Sequence, residues 1–455
     1  MSAPGFGSSG RLTALLERAP AGFFVAYAVT ASFGAYFCMY AFRKPFAAAK
    51  FEGEFFALDM LELKSAIVIS QVMGYALSKY VGIRVCSELP PRYHALTLAG
   101  LILWAEAALL LFAEMPGSWK TFAIFLNGLS LGMVWGLVVR FLEGRVTSEL
   151  LLAGLSCSFI VSSGMVKDVG RAMMSGGAAE WWARVPVVGS AFSDWLGKVS
   201  EAWMPAVTGL HFLPFFFLFV WMLAQLPRRT ETDLEQRQPR ESMDSSKRNA
   251  FLREYLPGLV MLVAAYFILT AYRDFRDNYS VEIFESLGYP YHGNETIITR
   301  AETLVALGVI SILALLNTVR RSRPGLLATF GVMAGGTALL GVSTLLLEAG
   351  VISGFWWMTL IGLGSYLAYV PYGSLLFERL MANTALVGTA VFAIYLADAV
   401  GYTGSVAMLL YKDLAASEMS RLAFFQVATW GMAGVGTVLL VTSCIYFLRE
   451  PRPDR

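Results

Sequence analysis

Twelve apolar stretches, each about long enough to cross a lipid bilayer as a helix, constrain this chain of 455 residues more than any other feature. Six precede a polar segment and six follow it. The stretches lie near residues 21–42, 63–85, 96–112, 121–141, 150–169 and 205–226, and then near 256–284, 301–317, 326–347, 355–380, 385–410 and 424–447. With 56% hydrophobic and only 15% charged residues, the chain has more apolar surface than one soluble core can bury. The sequence therefore predicts an all-α membrane protein with twelve transmembrane helices in two six-helix halves.

A polar segment separates the two sets of stretches. Residues 228–248 are dominated by charged and small polar side chains, and such a segment cannot bury enough apolar area to fold by itself. We therefore predict an N-terminal six-helix bundle at residues 1–226, a cytoplasmic linker at 227–254 and a C-terminal six-helix bundle at 255–455. Two helical repeats joined in this way are typical of secondary transporters.

The distribution of basic residues predicts the orientation in the membrane. Lysine and arginine concentrate in the linker, in the loop at residues 320–323 and after residue 448, all on the side that both termini share when the number of spans is even. Such loops stay in the cytoplasm. We expect a multi-pass protein of a bacterial inner membrane with both termini cytoplasmic, and a retained helix rather than a cleaved signal peptide at the first apolar run. The Trp-rich segment at residues 179–205 predicts an interfacial helix or hairpin, with a substrate lid as the alternative.

Basic residues also occur within or next to several apolar stretches, where a charge at the bilayer centre costs about 2.5 to 3.5 kcal/mol. In the first stretch, Tyr36, Tyr40 and Arg43 are spaced by four and three residues, which places them on one helix face. Lys44 follows, and apolar residues resume after Pro45, so we expect Arg43 to lie within a long, proline-kinked helix. A basic group placed there is typical of a transport pathway.

The seventh stretch carries charges at the matching point of the second half. Arg273 and Arg276 lie there beside Asp274 and Asp277. Arginines facing each other across a cavity would bind an anion with several acceptor oxygens through bidentate, charge-assisted hydrogen bonds. The alternative is that Arg43 and Lys44 extend to the interface and that the residues of the seventh stretch neutralise one another along their own helix. Lys79, near the end of the second stretch, is open to the same two interpretations.

Several motifs resemble the organophosphate:inorganic phosphate antiporters of the major facilitator superfamily, which include glycerol-3-phosphate and hexose-phosphate transporters. The first stretch is similar in its two tyrosines ahead of an Arg-Lys pair and an aromatic residue. The second is similar in its Tyr-x-x-Ser-Lys motif, and the fourth in Phe-Leu-Asn-Gly, Gly-Met-x-Trp and a following arginine. The residues that carry the resemblance are Tyr36, Tyr40, Arg43, Lys44, Phe46, Tyr75, Ser78, Lys79, Phe125, Asn127, Gly128, Gly132, Met133, Trp135 and Arg140.

The resemblance implies the major facilitator superfamily fold and a substrate site. It assigns Arg43, Lys79 and Arg273 to substrate binding, with Arg276 as the alternative to Arg273. It also implies that Tyr369 of the tenth stretch faces the cavity. Three departures concern the substrate and the gating. Phe159 stands where the antiporters have a phosphate-binding histidine, the loop after Lys79 lacks the superfamily's Asp-Arg-x-Gly-Arg signature, and the Trp-rich segment is longer. A carboxylate or a larger phosphorylated compound is therefore an alternative substrate.

Two acids in apolar stretches, Glu106 and Asp398, are candidates for proton coupling, with interhelical hydrogen bonding as the alternative. Glycines repeat every four residues at 128–136 and at 331–335, which predicts close helix contacts inside the bundle. A nucleotide-binding loop, a zinc-site spacing and a nucleophile triad are all missing from the sequence. We therefore predict no enzymatic activity, no cofactor, no metal and no nucleic-acid partner, and we expect a monomer.

The leading functional hypothesis is a secondary active transporter that exchanges a small anionic solute, an organophosphate or phosphate, by alternating access. Arg43 and Arg273 would clamp the anion, and Lys79, Tyr36, Tyr40 and Tyr369 would orient it. Lys44 and Arg276 are further candidates for substrate binding. One alternative is a transporter-like membrane sensor that binds a phosphorylated ligand without moving it. The other is a proton-coupled symporter of another small solute.

Overall fold

The computed structural model describes residues 11–56, 61–143, 145, 147–177, 199–227, 245–319, 322–381, 383 and 390–449. Helices lie at all twelve positions where the apolar stretches predict them. In the first half the helices are α1 Arg11–Arg18, α2 Ala21–Arg43, α3 Leu63–Glu88, α4 His94–Glu114, α5 Lys120–Leu131, α6 Val134–Leu142, α7 Ser148–Ser175 and α8 Met204–Ala224.

The second half repeats this succession of long helices. They are α9 Ser245–Asn278, α10 Ser280–Ser286, α11 Ile297–Asn317, α12 Ser322–Glu348, α13 Gly354–Ser374, α14 Leu376–Met381, α15 Ala390–Leu414, α16 Arg421–Gly431 and α17 Thr437–Arg449, with a π-helix at Met432–Gly436 between the last two. Within the part of the chain that the structure describes, eight helical spans have the length and hydropathy of a membrane-crossing helix. The protein is thus an integral, multi-pass membrane protein.

Three boundaries differ from the sequence prediction. The helix that includes Arg43 ends at that residue, and Pro45 starts a separate 3-10 helix, Pro45–Ala48, because a proline ring lacks the N–H that a continued helix needs. The seventh span is interrupted at Tyr279, between α9 and α10. Residues 245–254, predicted as linker, are the first turns of α9. Residues 228–244 and 178–198, which contain most of the predicted linker and of the Trp-rich segment, lie outside the described residues.

A short two-stranded hairpin, Phe55–Phe56 paired antiparallel with Leu61–Glu62, lies between α2 and α3. It marks one end of the bundle, which we call the hairpin end; with both termini in the cytoplasm this end would face outward. The two halves pack against each other along α7 with α11 and along α3 with α15. The core of each half is mostly apolar, and many of the buried charged residues lie where the halves meet.

Glycines in the first half bring α3 and α5 into close contact. A Cβ atom on Gly74 would lie 2.2 Å from the backbone oxygen of Phe125, and one on Gly128 would lie 2.3 Å from that of Gln71. Such contacts can be relieved only by moving a helix. The predicted glycine contacts thus exist at Gly128, whereas a Cβ atom on Gly331 or Gly335 would meet nothing within 4 Å.

This difference supports a matched pair of substitutions. We expect Gly128→Ala to lower the free energy of unfolding by about 1 to 3 kcal/mol, the usual cost of overpacking a dense interior. Gly331→Ala adds the same methyl group to open space and should leave stability unchanged or slightly raised, since alanine favours helix more than glycine does. Thermal unfolding of the two variants in detergent would measure the difference, and equal melting temperatures would contradict the packing argument.

Candidate functional site

Arg43 lies between the halves near mid-bundle. Its guanidinium carbon is 4.1 Å from the ring centroid of Tyr75 and 5.6 Å from that of Tyr40. Tyr75 is close to the midpoint of α3, so the side chain of Arg43 points to the middle of the bundle rather than to an interface. Among the described residues Arg43 has no carboxylate partner, and its buried Nε has no hydrogen-bond acceptor. A cation held by ring faces alone keeps its N–H groups available to an anion.

Arg273 occupies the matching position in the second half. Its guanidinium carbon lies 4.2 Å from the ring centroid of Tyr369 and 5.9 Å from that of Tyr366. Unlike Arg43, it is paired: Nη2 donates to Asp274 Oδ1 at 2.6 Å, and Ser405 donates to the other oxygen of Asp274 at 2.6 Å. The two arginines therefore share a setting of tyrosine rings and differ in charge compensation.

Tyr40 connects the two arginines, because it interacts electrostatically with both of them. Tyr36 lies one turn earlier and packs edge-on against Trp135, with ring centroids 4.8 Å apart. Tyr369 of the second half stacks on Tyr266 at 5.3 Å. The tyrosines that the sequence singled out, Tyr36, Tyr40 and Tyr369, thus surround the same region as Arg43 and Arg273.

A third cation and an acid join the halves on the side of this region that lies away from the hairpin end. Lys79 Nζ in α3 donates to Asp398 Oδ2 in α15 at 2.8 Å, and the Tyr266 hydroxyl donates to Asp398 Oδ1 at 2.6 Å. Tyr402 lies one turn from Asp398, and its ring centroid is 5.0 Å from Lys79 Nζ. Asp398 is therefore a direct partner of Lys79. We call Arg43, Lys79, Arg273, Asp274 and Asp398 the central cluster.

Two residues predicted for the site lie apart from the central cluster. Arg276 is buried within the second half, where it forms an ion pair with Glu302 at 2.8 Å and donates to the Met358 backbone oxygen at 2.8 Å. Lys44 turns toward the hairpin end and pairs with Asp277 at 2.6 Å. Of the two arginines of the seventh span, Arg273 is the one whose guanidinium lies over tyrosine rings. The guanidinium of Arg276 is held instead by Glu302 and by the Met358 backbone oxygen.

The hairpin end is closed by polar contacts between the halves. Asp277 binds Lys44 and also Lys167, whose Nζ lies 2.9 Å from Asp277 Oδ1, and Ser163 donates to the same carboxylate. Lys64 pairs with Glu282 in the same layer. Except for Lys50 and Glu285, which pair at 2.6 Å with partial exposure, these ion pairs are nearly inaccessible to solvent. The hydrogen bond to Glu285 raises the pKa of Lys50 above its ordinary value.

Glu106 lies inside the first half, away from the central cluster. It is 4% exposed, and neither carboxyl oxygen has a partner among the described residues. A Cβ atom on Gly209 would lie 2.2 Å from Glu106 Oε2, so the glycine leaves room for the acid between α4 and α8. This placement associates Glu106 with packing of the first half rather than with the interface of the two halves.

Sequence reasoning missed several residues around the central cluster. Tyr266, Tyr366 and Tyr402 lie around it, and the ring of Tyr75, which was named only as part of a motif, is 4.1 Å from the guanidinium carbon of Arg43. Tyr366 lies three residues before Tyr369, and Tyr402 four after Asp398, so helical spacing from the predicted residues would have found both. At the position of the antiporter histidine, Phe159 packs against Trp135 and Tyr366, with ring centroids 6.4 and 6.1 Å apart.

The architecture matches that of several solved transporter structures. A D-xylose-proton symporter aligns over 95% of this chain and 99% of its own, with a TM-score of 0.61 and 13% identity. The inward-open xylose transporter XylE from E. coli aligns over 95% of this chain and 96% of its own, with a TM-score of 0.55 and 10% identity. A peptide transporter in complex with alafosfalin aligns over 97% of this chain and 100% of its own, with a TM-score of 0.56 and 12% identity. At these identities the likeness establishes the fold alone.

The family of the chain follows from its sequence. Residues 45–196 and 183–450 match the profile of a family of unknown function (DUF5690), and the protein belongs to that family. No curated protein sequence matches the chain. The resemblance to organophosphate:phosphate antiporters thus rests on the motifs alone.

Proposed function

We propose that the protein is a secondary active transporter of a small anionic solute, an organophosphate or inorganic phosphate, that works by alternating access. The observation that carries the proposal is Arg43, a cation at the middle of the bundle with tyrosine rings on two sides and no described carboxylate partner. Holding such a charge away from water is costly unless an anion compensates it for part of the cycle. The tyrosine hydroxyls around it supply further donors for anionic oxygens.

The arrangement of the arginines between two halves also supports transport. Arg43 belongs to the first half and Arg273 to the second, and both interact with Tyr40. An anion bound to both would link the halves, so its binding energy could be used to move one half against the other. Exchange of one anion for another fits this geometry, because without an anion the charge of Arg43 would stay uncompensated when the halves close around it.

Phosphate exchange in proteoliposomes tests the proposal. The full chain would be reconstituted with unlabelled phosphate inside and radiolabelled phosphate outside, and in a second set with glycerol 3-phosphate inside. We expect uptake of label that depends on the internal anion and that empty liposomes do not show. Phosphate binding without any flux would instead establish the sensor alternative, and the absence of both binding and flux would refute the anion site.

A further inference from the structure

We infer that Asp398 is an internal competitor for the transported anion: it occupies Lys79 until a proton releases it, so that anion binding at Lys79 is linked to uptake of one proton. This inference rests on the proposed function. Asp398 would thereby control when Lys79 can bind substrate.

The ion pair between Lys79 and Asp398 is the observation behind the inference. Asp398 Oδ2 lies 2.8 Å from Lys79 Nζ and thus takes the position that an anionic oxygen of a substrate would take. The ammonium is also 5.0 and 5.4 Å from the ring centroids of Tyr402 and Tyr75. Those rings favour the charged lysine but cannot neutralise it. Because carboxylate and substrate need the same ammonium, they exclude each other unless one loses its charge.

The surroundings of Asp398 allow it to exist without its charge. The Tyr266 hydroxyl, 2.6 Å from Oδ1, belongs to the second half, as Asp398 does. A protonated Asp398 would therefore keep the hydrogen bond at Oδ1 after it leaves Lys79, and only the neutral Oδ2–H group would need a new partner, which costs less than an unpaired carboxylate. The exchange balances: the Lys79–Asp398 pair, an anion and a proton give a Lys79–anion pair and a neutral carboxylic acid bonded to Tyr266.

The other groups around Asp398 can be named element by element. Lys79 and Tyr75 face it from α3, Tyr266 from α9, Tyr369 from α13, and Tyr402 from α15 itself. Of these only Lys79 carries a charge near neutral pH. Other described charged groups near α15 have partners of their own. Glu62 of the hairpin pairs with Arg421, and Arg379 of α14 donates to the Gly325 oxygen at 2.8 Å. Arg273 of α9 pairs with Asp274.

Binding of inorganic phosphate to the detergent-solubilised full chain at pH 5.5 and pH 8 tests the inference. Phosphate itself titrates in this range, but its contribution is the same for every variant and cancels in a comparison. One linked proton can change an affinity by up to about tenfold per pH unit. We expect the ratio of the phosphate affinity at pH 5.5 to that at pH 8 to be at least about tenfold larger in the wild type than in Asp398→Asn. At pH 8, Asp398→Asn should also bind phosphate more tightly than the wild type does.

Two further variants complete the test. Glu106→Gln makes the same acid-to-amide change in a buried acid outside the cluster and should keep the wild-type ratio. Tyr266→Phe removes the partner of the neutral acid and should weaken binding most at pH 5.5. An unchanged ratio in Asp398→Asn, or weaker binding at both pH values, would overturn the inference while leaving the anion site intact; if wild type and Asp398→Asn both fail to bind phosphate, the proposed function itself fails.

Discussion

Replacing Arg43 by lysine should lower the affinity for the transported anion by at least about tenfold, and replacing it by alanine by about a hundredfold. Hydrogen bonds to charged groups contribute about 1.5 to 3 kcal/mol each, and about 1.4 kcal/mol corresponds to tenfold in affinity. The guanidinium can lie on the Tyr75 ring, 4.1 Å from its centroid, and still direct parallel N–H groups at an anion along its edge. A lysine ammonium retains the charge but lacks that planar fork.

The control for this substitution is Arg300→Lys. Arg300 also lies over an aromatic ring, with its guanidinium carbon 5.6 Å from the Phe355 centroid, but it is exposed and remote from the central cluster. Phosphate binding by calorimetry and exchange in proteoliposomes should be unchanged in this control. Full exchange activity in Arg43→Lys would rule out the bidentate role of Arg43.

Asp277→Asn should open the hairpin end. The substitution leaves the buried ammonium groups of Lys44 and Lys167 without the carboxylate that both bind, at 2.6 and 2.9 Å. Removing one partner of a buried ion pair costs about 3 to 5 kcal/mol, because the remaining charge is not compensated. Conformations in which the halves separate at this end expose the lysines to water, so they should gain population at the expense of the closed form.

Cysteine labelling can detect this shift. Val281 in α10 is 3% exposed at the hairpin end, so a Val281→Cys reporter in a background without native cysteines should react slowly with a maleimide. Asp277→Asn should accelerate the labelling and lower the melting temperature of the protein, which should remain monodisperse.

Glu285→Gln provides the comparison for Asp277→Asn. It breaks the partly exposed Lys50–Glu285 pair at the same end, and such pairs are worth about 0 to 1 kcal/mol. Labelling and melting temperature should therefore stay close to the wild type. Equal labelling rates in the two variants would show that the Asp277 contacts do not hold this end closed.

The charged residues of the first and seventh spans illustrate how far sequence reasoning reaches. Helical spacing placed Tyr36, Tyr40 and Arg43 on one face, and the structure has them around one region, because residues three and four apart share a face whatever the helix packs against. The same reasoning could not choose between Arg273 and Arg276. Arg276 pairs with Glu302, which is 26 residues away on another helix.

The length and apolar character of the twelve stretches by themselves determined that the chain spans a membrane as helices, because every backbone polar group must be paired within the bilayer. The spacing of the charged residues in the first and seventh stretches indicated where the halves meet. Tertiary structure alone decided which charges remain uncompensated. It pairs Lys79 with Asp398 across 319 residues of sequence and Lys44 with Asp277 at the hairpin end. It leaves Arg43 without a described carboxylate partner, because pairing depends on which helix faces meet when the two halves pack.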